Sequence, residues 1–148
     1  MSGSGSEARL RDPRETNAVN PGSRILVIDD SQTVIRAVQQ AFADTSCCVE
    51  TVAHYLEIPR YLRTTPPDLV VLDLKMPGIS GERISEFIRR DQQRDTPIVI
   101  YSSLPEETLE AAASRIGADG WVSKQTSLER LVALVKATLA GHRGGGRW

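Results

Sequence analysis

Asp73 closes the apolar run Leu69-Val70-Val71-Leu72, and a Pro/Gly loop, Met76-Pro77-Gly78, follows it at once. A carboxylate pair, Asp29-Asp30, closes Arg24-Ile25-Leu26-Val27-Ile28 in the same way. Two more short runs lead into Ser102-Ser103 and, after Trp121-Val122-Ser123, into Lys124. Brought together, three carboxylates repel one another and raise at least one pKa unless a cation joins them. A divalent ion and the Lys124 ammonium together balance them formally. Oxygen-only ligands favour magnesium over zinc, and Mg²⁺ takes one or two carboxylates, keeps waters and bridges to a phosphate. A nucleophilic carboxylate beside such an ion, with a hydroxyl and an ammonium to hold phosphoryl oxygens, is a phosphoryl-transfer site.

The elements that must position these groups follow from the spacing. Apolar runs this short, bounded by turn residues, read as strands buried on both faces, as in a parallel sheet covered by helices. Strands are expected at Arg24–Asp29, Cys47–Val52, Leu69–Leu72, Ile98–Tyr101 and Asp119–Ser123. Between them lie helical patterns. Val34, Ala37, Val38, Ala41 and Phe42 form one apolar face after Asp29-Asp30-Ser31. A short helix is expected from about Glu57 to Arg63, with Pro59 tolerable only in its first turn. Gly81 opens a third helix with Ile84, Phe87 and Ile88 inward. Pro105-Glu106-Glu107 starts a fourth, striped by Leu109, Ala112, Ala113 and Ile116 and ended by Gly117. The last helix carries Leu128, Leu131, Val132, Val135 and Leu139 and is expected to be capped by Gly141.

Five strand–helix alternations predict an α/β fold, a (βα)5 doubly wound parallel sheet between two helical layers. Right-handed crossovers bring all strand carboxyl ends to one edge, so the five groups above converge in one crevice. Each has a plainer reading: Asp73 or Asp29-Asp30-Ser31 as helix caps, Ser102-Ser103 as a cap for the fourth helix, Lys124 as a surface lysine. The convergence is what separates the two.

The chain has 148 residues, 40% of them hydrophobic and 25% charged, which suits one domain with a substantial core. A net charge of −1 with interleaved signs points neither to nucleic acid nor to a membrane surface. No apolar run approaches the ~20 residues of a membrane-spanning helix. Cys47 and Cys48 are adjacent, a poor geometry for a mutual disulfide, and are expected to be buried free thiols in a reducing cytoplasm. Residues 1–23 read as a disordered leader whose Met1–Ser6 opening resembles an added linker; 24–140 form the domain; 141–148 read as a flexible Gly-rich tail.

In order along the chain, Asp29-Asp30, Asp73-x-x-Met76-Pro77-Gly78-x-x-Gly81, Ser102-Ser103 and Gly117-Ala118-Asp119-Gly120-Trp121-Val122-x-Lys124 resemble the receiver domain of two-component response regulators, from about Arg24 to Ala140. The resemblance implies a flavodoxin-like sheet of order 2-1-3-4-5. It implies that a histidine kinase or phosphotransfer protein phosphorylates Asp73. It implies that Asp30, Asp73 and the Lys75 carbonyl bind Mg²⁺ directly while Asp29 acts mainly through water. Ser102 would hydrogen-bond the phosphoryl group and Lys124 would pair with it. Trp121 stands where the family carries an aromatic, often Tyr or Phe, that changes orientation on activation; packing is its plainer role. Such a protein is a signalling switch and no enzyme beyond its own phosphoryl transfer and dephosphorylation. No DNA-binding helix pair or enzymatic domain follows Gly141, so output is expected through a protein effector, and homodimerisation stays open.

One residue departs from the pattern. The family usually has Pro after the lysine, commonly with a cis peptide bond, and here Gln125 stands there. A non-proline cis bond costs about 2.5–4 kcal/mol, so trans is expected, which bears on the aim of Lys124 and the loop after it. Two other functions compete: a docking scaffold with an unused acidic pocket, and a phosphatase using an aspartyl intermediate. Haloacid-dehalogenase-like phosphatases carry D-x-D after the first strand, whereas this chain reads Asp29-Asp30-Ser31.

Overall fold

The computed structural model describes residues 22–64, 66–91 and 95–145. In chain order the elements are β1 (Arg24–Ile28), α1 (Gln32–Ala41), β2 (Cys48–Val52), a 3₁₀ turn (Tyr55–Glu57), α2 (Ile58–Thr64), β3 (Leu69–Leu72), α3 (Gly81–Asp91), β4 (Ile98–Ser102), α4 (Glu106–Ile116), β5 (Gly120–Ser123) and α5 (Leu128–Gly145). The strands form one parallel sheet in the order β2-β1-β3-β4-β5, the expected 2-1-3-4-5 arrangement.

Successive residues of a strand point to opposite faces, and here both faces are covered. Leu26, Ile28, Val70, Leu72, Ile98 and Ile100 pack against α2, α3 and α4 through Ile58, Leu62, Ile84, Ile88, Leu109 and Ile116. Ile25, Val27, Leu69, Val71, Val99 and Tyr101 pack on the other side against Val38, Phe42, Leu131, Val135 and Leu139 of α1 and α5. Each fully buried Ile or Leu contributes about 1.5–3 kcal/mol of transfer free energy, so two continuous cores hold the sheet edge rigid.

The helix ends agree with their local chemistry. Ser31 caps α1, its Oγ accepting the Val34 N–H at 3.3 Å. Pro59 is the second residue of α2, inside its first turn as expected. Gly117 ends α4 in the left-handed region, φ 71°, and its N–H bonds to the Ala113 carbonyl.

Four expectations are corrected. The buried face of α1 is Ile35 and Val38, continued by Phe42, with Val34 half-buried; Ile35 was not on the expected stripe. Ile35, Val38 and Phe42 fall at helical spacing, so the buried stripe is centred one residue later than a stripe starting at Val34. Helix α5 runs through Gly141 to Gly145; Gly141 is not among the described glycines with positive φ, so it does not take the left-handed capping conformation. Cys48 is exposed and Cys47 half-buried, since β2 lies at the sheet edge. Ser23 belongs to the domain: it is buried and its carbonyl accepts the Cys48 N–H, while the rest of the expected leader up to residue 21 lies outside the described residues. Residues 146–148 of the expected tail lie outside them too.

Candidate functional site

The sheet ladder itself sets the acidic groups. The Asp29 N–H bonds to the Val52 carbonyl and the Asp73 N–H to the Ile28 carbonyl, carrying the ladder one residue past each strand. Both carboxylates are thereby fixed at the carboxyl edge, and both are buried, Asp29 at 2% and Asp73 at 4% exposure. Asp30, the next residue, is exposed. One oxygen from each of Asp29, Asp30 and Asp73 lies within 4.8 Å of the others.

Lys124 is delivered to the same place by β5. Its N–H bonds to the Ser102 carbonyl at 2.8 Å, and its Nζ sits 2.8 Å from Asp29 Oδ2 and 3.4 Å from Asp73 Oδ2. No cis peptide occurs among the described residues, so Gln125 follows in trans as expected. The loop is closed by the Thr126 N–H on the Ser123 carbonyl and by the Gln125 N–H on Ser123 Oγ at 3.1 Å. A proline could not have made that second bond. Lys124 therefore reaches the carboxylates without it.

Burial pushes the Asp29 carboxyl above its ordinary value, against the lowering pull of Lys124 and of the Ser31 N–H. Burial alone would lower the Lys124 ammonium. Its hydrogen bond to Asp29 and the charges of Asp73 and Asp29 outweigh that and hold it above its ordinary value. The lysine stays charged, and it is the counter-ion of the two buried acids.

The remaining expected residues fall around this cluster. Asp73 Oδ1 accepts the N–H of Lys75 at 3.2 Å, which turns the chain out of β3 and leaves Lys75 exposed. Ser102 ends β4, fully buried, with Oγ accepting the Leu104 N–H at 3.4 Å. It does not cap α4, whose capping position is Pro105. Trp121 lies opposite Ile100 on β5, half-buried against the α2–α4 side of the core. Gly78 has φ 87° and packs under the Tyr55 ring, where a Cβ would stand 2.5 Å from Cε1. Any other residue there would be strained by that φ and would have to push the ring aside.

Tyr101 was read in the sequence only as the end of an apolar strand. Its ring lies under Lys124, with Nζ 5.8 Å from the centroid, and burial pushes its phenol up so that it stays neutral. A phenol one residue before the serine at a strand end was the available signal.

An oxygen-only donor set of three clustered carboxylates, with one ammonium already sharing two of them, fits a hard divalent cation such as Mg²⁺. The fold and the cluster define a doubly wound α/β protein with an acidic pocket at the carboxyl edge. The family model described as the response regulator receiver domain matches residues 25–136. The transcriptional regulatory protein BaeR of Escherichia coli O6:H1 is 34% identical over 116 residues, covering 78% of this chain and 48% of its own length. Protein PilG of Pseudomonas aeruginosa is 26% identical over 117 residues, covering 78% and 87%. The crystal structure of a LuxR-family two-component response regulator from an Aurantimonas species superposes with a TM-score of 0.73 at 30% identity, covering 81% of this chain and 86% of that one. A CheY-like receiver domain from Methanospirillum hungatei shares the fold, with a TM-score of 0.75 at 19% identity over 83% and 98% of the two chains.

The chain belongs to the response regulator receiver domain family of two-component signalling. It spans about half the length of the first curated relatives it matches, BaeR and the regulator SphR of Synechococcus elongatus. Among the described residues no helix is long and apolar enough to cross a membrane.

Proposed function

We propose that the chain is a phosphorylatable switch of the cytoplasm. It takes a phosphoryl group from a histidine kinase or phosphotransfer protein onto Asp73, with Mg²⁺, and presents a changed α4–β5–α5 face to a protein effector. The observation that carries this reading is the Lys124 ammonium held between the buried Asp29 and Asp73 carboxylates. Burying three such charges is costly, and a site kept assembled at that cost is one whose charges are used. In this reading Asp73 is the nucleophile, Lys124 pairs with a phosphoryl oxygen, and Ser102 donates its hydroxyl to another. Asp30, Asp73 and the Lys75 carbonyl hold the ion, with Asp29 acting through water. The ion supplies charge neutralisation of the transferring group. The test is incubation with Mg²⁺ and phosphoramidate, followed by intact mass: one added phosphate is expected, and none at all would reduce the pocket to a docking scaffold.

Removing Asp30 should separate metal binding from folding. Asp30 is exposed, so Asp30→Ala creates no cavity, and it takes one like charge out of the cluster. Mg²⁺ affinity and phosphorylation rate are expected to fall together, by about tenfold or more. Stability in EDTA should hold or rise. A large loss of stability in EDTA, measured by urea denaturation, would show that Asp30 is structural.

Phosphorylation makes the acceptor more negative by about one charge, and Ser102 can answer by swinging its hydroxyl toward it. Ser102 is wholly buried, so that swing displaces the end of β4 beside Trp121. The indole is then free to turn inward, reshaping the effector face. The sequence has one other tryptophan, Trp148, so Trp148→Phe leaves a single probe. Its emission is expected to change on phosphorylation, and Ser102→Ala should abolish the change. Complete phosphorylation by mass with a flat indole signal would make Trp121 passive packing.

A further inference from the structure

The turn after Lys124 fixes that residue's backbone but leaves the side chain's four torsions open. Three things stand near its Nζ: Asp29 at 2.8 Å, Asp73 at 3.4 Å and the Tyr101 ring at 5.8 Å. The pull of the carboxylates is variable, because it weakens whenever another cation shares them or a carboxylate is modified. The ring carries no net charge that can be taken away. Its position is also held by the sheet. Tyr101 lies inside β4, pairs with Val122 on β5 and is buried in the α1/α5 core. A cation within about 6 Å of an aromatic centroid is attracted by the ring's negative face, and more strongly where water is excluded.

We propose that Tyr101 is a positioning residue for Lys124: its ring is the fixed floor that keeps the ammonium aimed at Asp73 while the charges around it change. The proposal rests on reading Asp73 as the phosphoryl acceptor only for its catalytic consequence; the placement of Lys124 over the ring stands on geometry alone. In a chain with Gln125 after the lysine, this floor supplies side-chain aim that the trans turn does not. The hydroxyl is not needed for it, so Phe should serve and an aliphatic side chain of similar bulk should not.

The sequence has three lysines, Lys75, Lys124 and Lys136, which makes the test direct. In the full chain labelled with ¹³C-lysine and free of metal, the Lys124 ε-protons should lie upfield of the other two, in the shielding cone of the ring. Lys124→Arg identifies the signal by deleting it. The shift should persist in Tyr101→Phe and collapse in Tyr101→Leu. With phosphoramidate and Mg²⁺, Tyr101→Leu should lower the phosphorylation rate by about five- to tenfold, and Tyr101→Phe should restore it to within about twofold. In a Lys124→Met background, Tyr101→Leu should cause no further fall.

Three coincident ε-proton signals in the folded wild type would overturn the proposal, even if Tyr101→Leu fails to fold. An undiminished rate in Tyr101→Leu would overturn it, as would an equal fall in the Lys124→Met background, since either places the effect of Tyr101 outside Lys124. A shielded Lys124 signal in a protein that takes no phosphate would support the floor and sink the assignment of Asp73 instead.

Discussion

Asp73→Asn is expected to carry no phosphate mass after incubation with Mg²⁺ and phosphoramidate, where the wild type gains one phosphate. Asparagine keeps the shape of the side chain and removes the nucleophilic oxygen. The fold should survive, because the Asp73 backbone N–H still bonds to the Ile28 carbonyl and the amide oxygen can still accept the Lys75 N–H. The wild-type adduct should be labile, since acyl phosphates hydrolyse far faster than the esters of Ser102 or Ser103 would. Equal labelling of wild type and variant would move the acceptor elsewhere, and those two serines would be examined first.

The second large effect is expected at Lys124, and it is one of stability. Lys124→Ala leaves Asp29 and Asp73 buried, close together and without their counter-ion. Removing one partner of a buried ion pair costs about 3–5 kcal/mol near neutral pH. Two conditions should return part of that loss. Mg²⁺ replaces the missing charge, adding about 2.7 kcal/mol at a hundredfold excess over its dissociation constant. Acid helps as well. The folded-state pKa of Asp29 is already raised by burial, and it rises further once the lowering pull of Lys124 is gone. An acid raised in this way binds its proton more tightly folded than unfolded, so stability climbs as pH falls through the folded value. Urea denaturation with EDTA or Mg²⁺, from neutral to about pH 5, separates these contributions. A loss that neither Mg²⁺ nor acid relieves would mean that Lys124 matters for packing and not for charge.

Much of this site could be read from the sequence, for a physical reason. A parallel strand covered on both faces has to be almost wholly apolar, so the residue that breaks the run marks the sheet edge. Asp29, Asp73 and Lys124 were legible because each breaks such a run, or follows one, at the edge where their chain neighbours still belong to the ladder. The stripe on α4 was legible for a similar reason, since Leu109, Ala112, Ala113 and Ile116 face one surface only. Ile35 was not: Ile35, Val38 and Phe42 form a helical stripe of their own, and the expected stripe starts one residue early, at Val34. The exposure of Cys48 depends on β2 being an edge strand, a property of strand order rather than of local composition. The floor under Lys124 depends on the register that sets Tyr101 beside Val122, a pairing between residues 21 apart in the chain. No local pattern announces it.

Strand order has one more outcome, for how the pocket comes into being as the chain is made. The first strand lies inside the sheet, between the second and third, so Ile25 pairs with Val49 on one side and Leu69 on the other. Nothing local rewards β1 for becoming extended. The Ile25–Leu69 pairing joins residues 44 apart, and such long-range closures are the slow steps of folding. During synthesis the acidic pair at 29 and 30 therefore waits, without the neighbour that gives it meaning, until Leu72 has emerged. The ammonium arrives later still, when β5 docks on β4. Until that strand docks, Asp29 and Asp73 lack the Lys124 ammonium that lies between them in the finished fold.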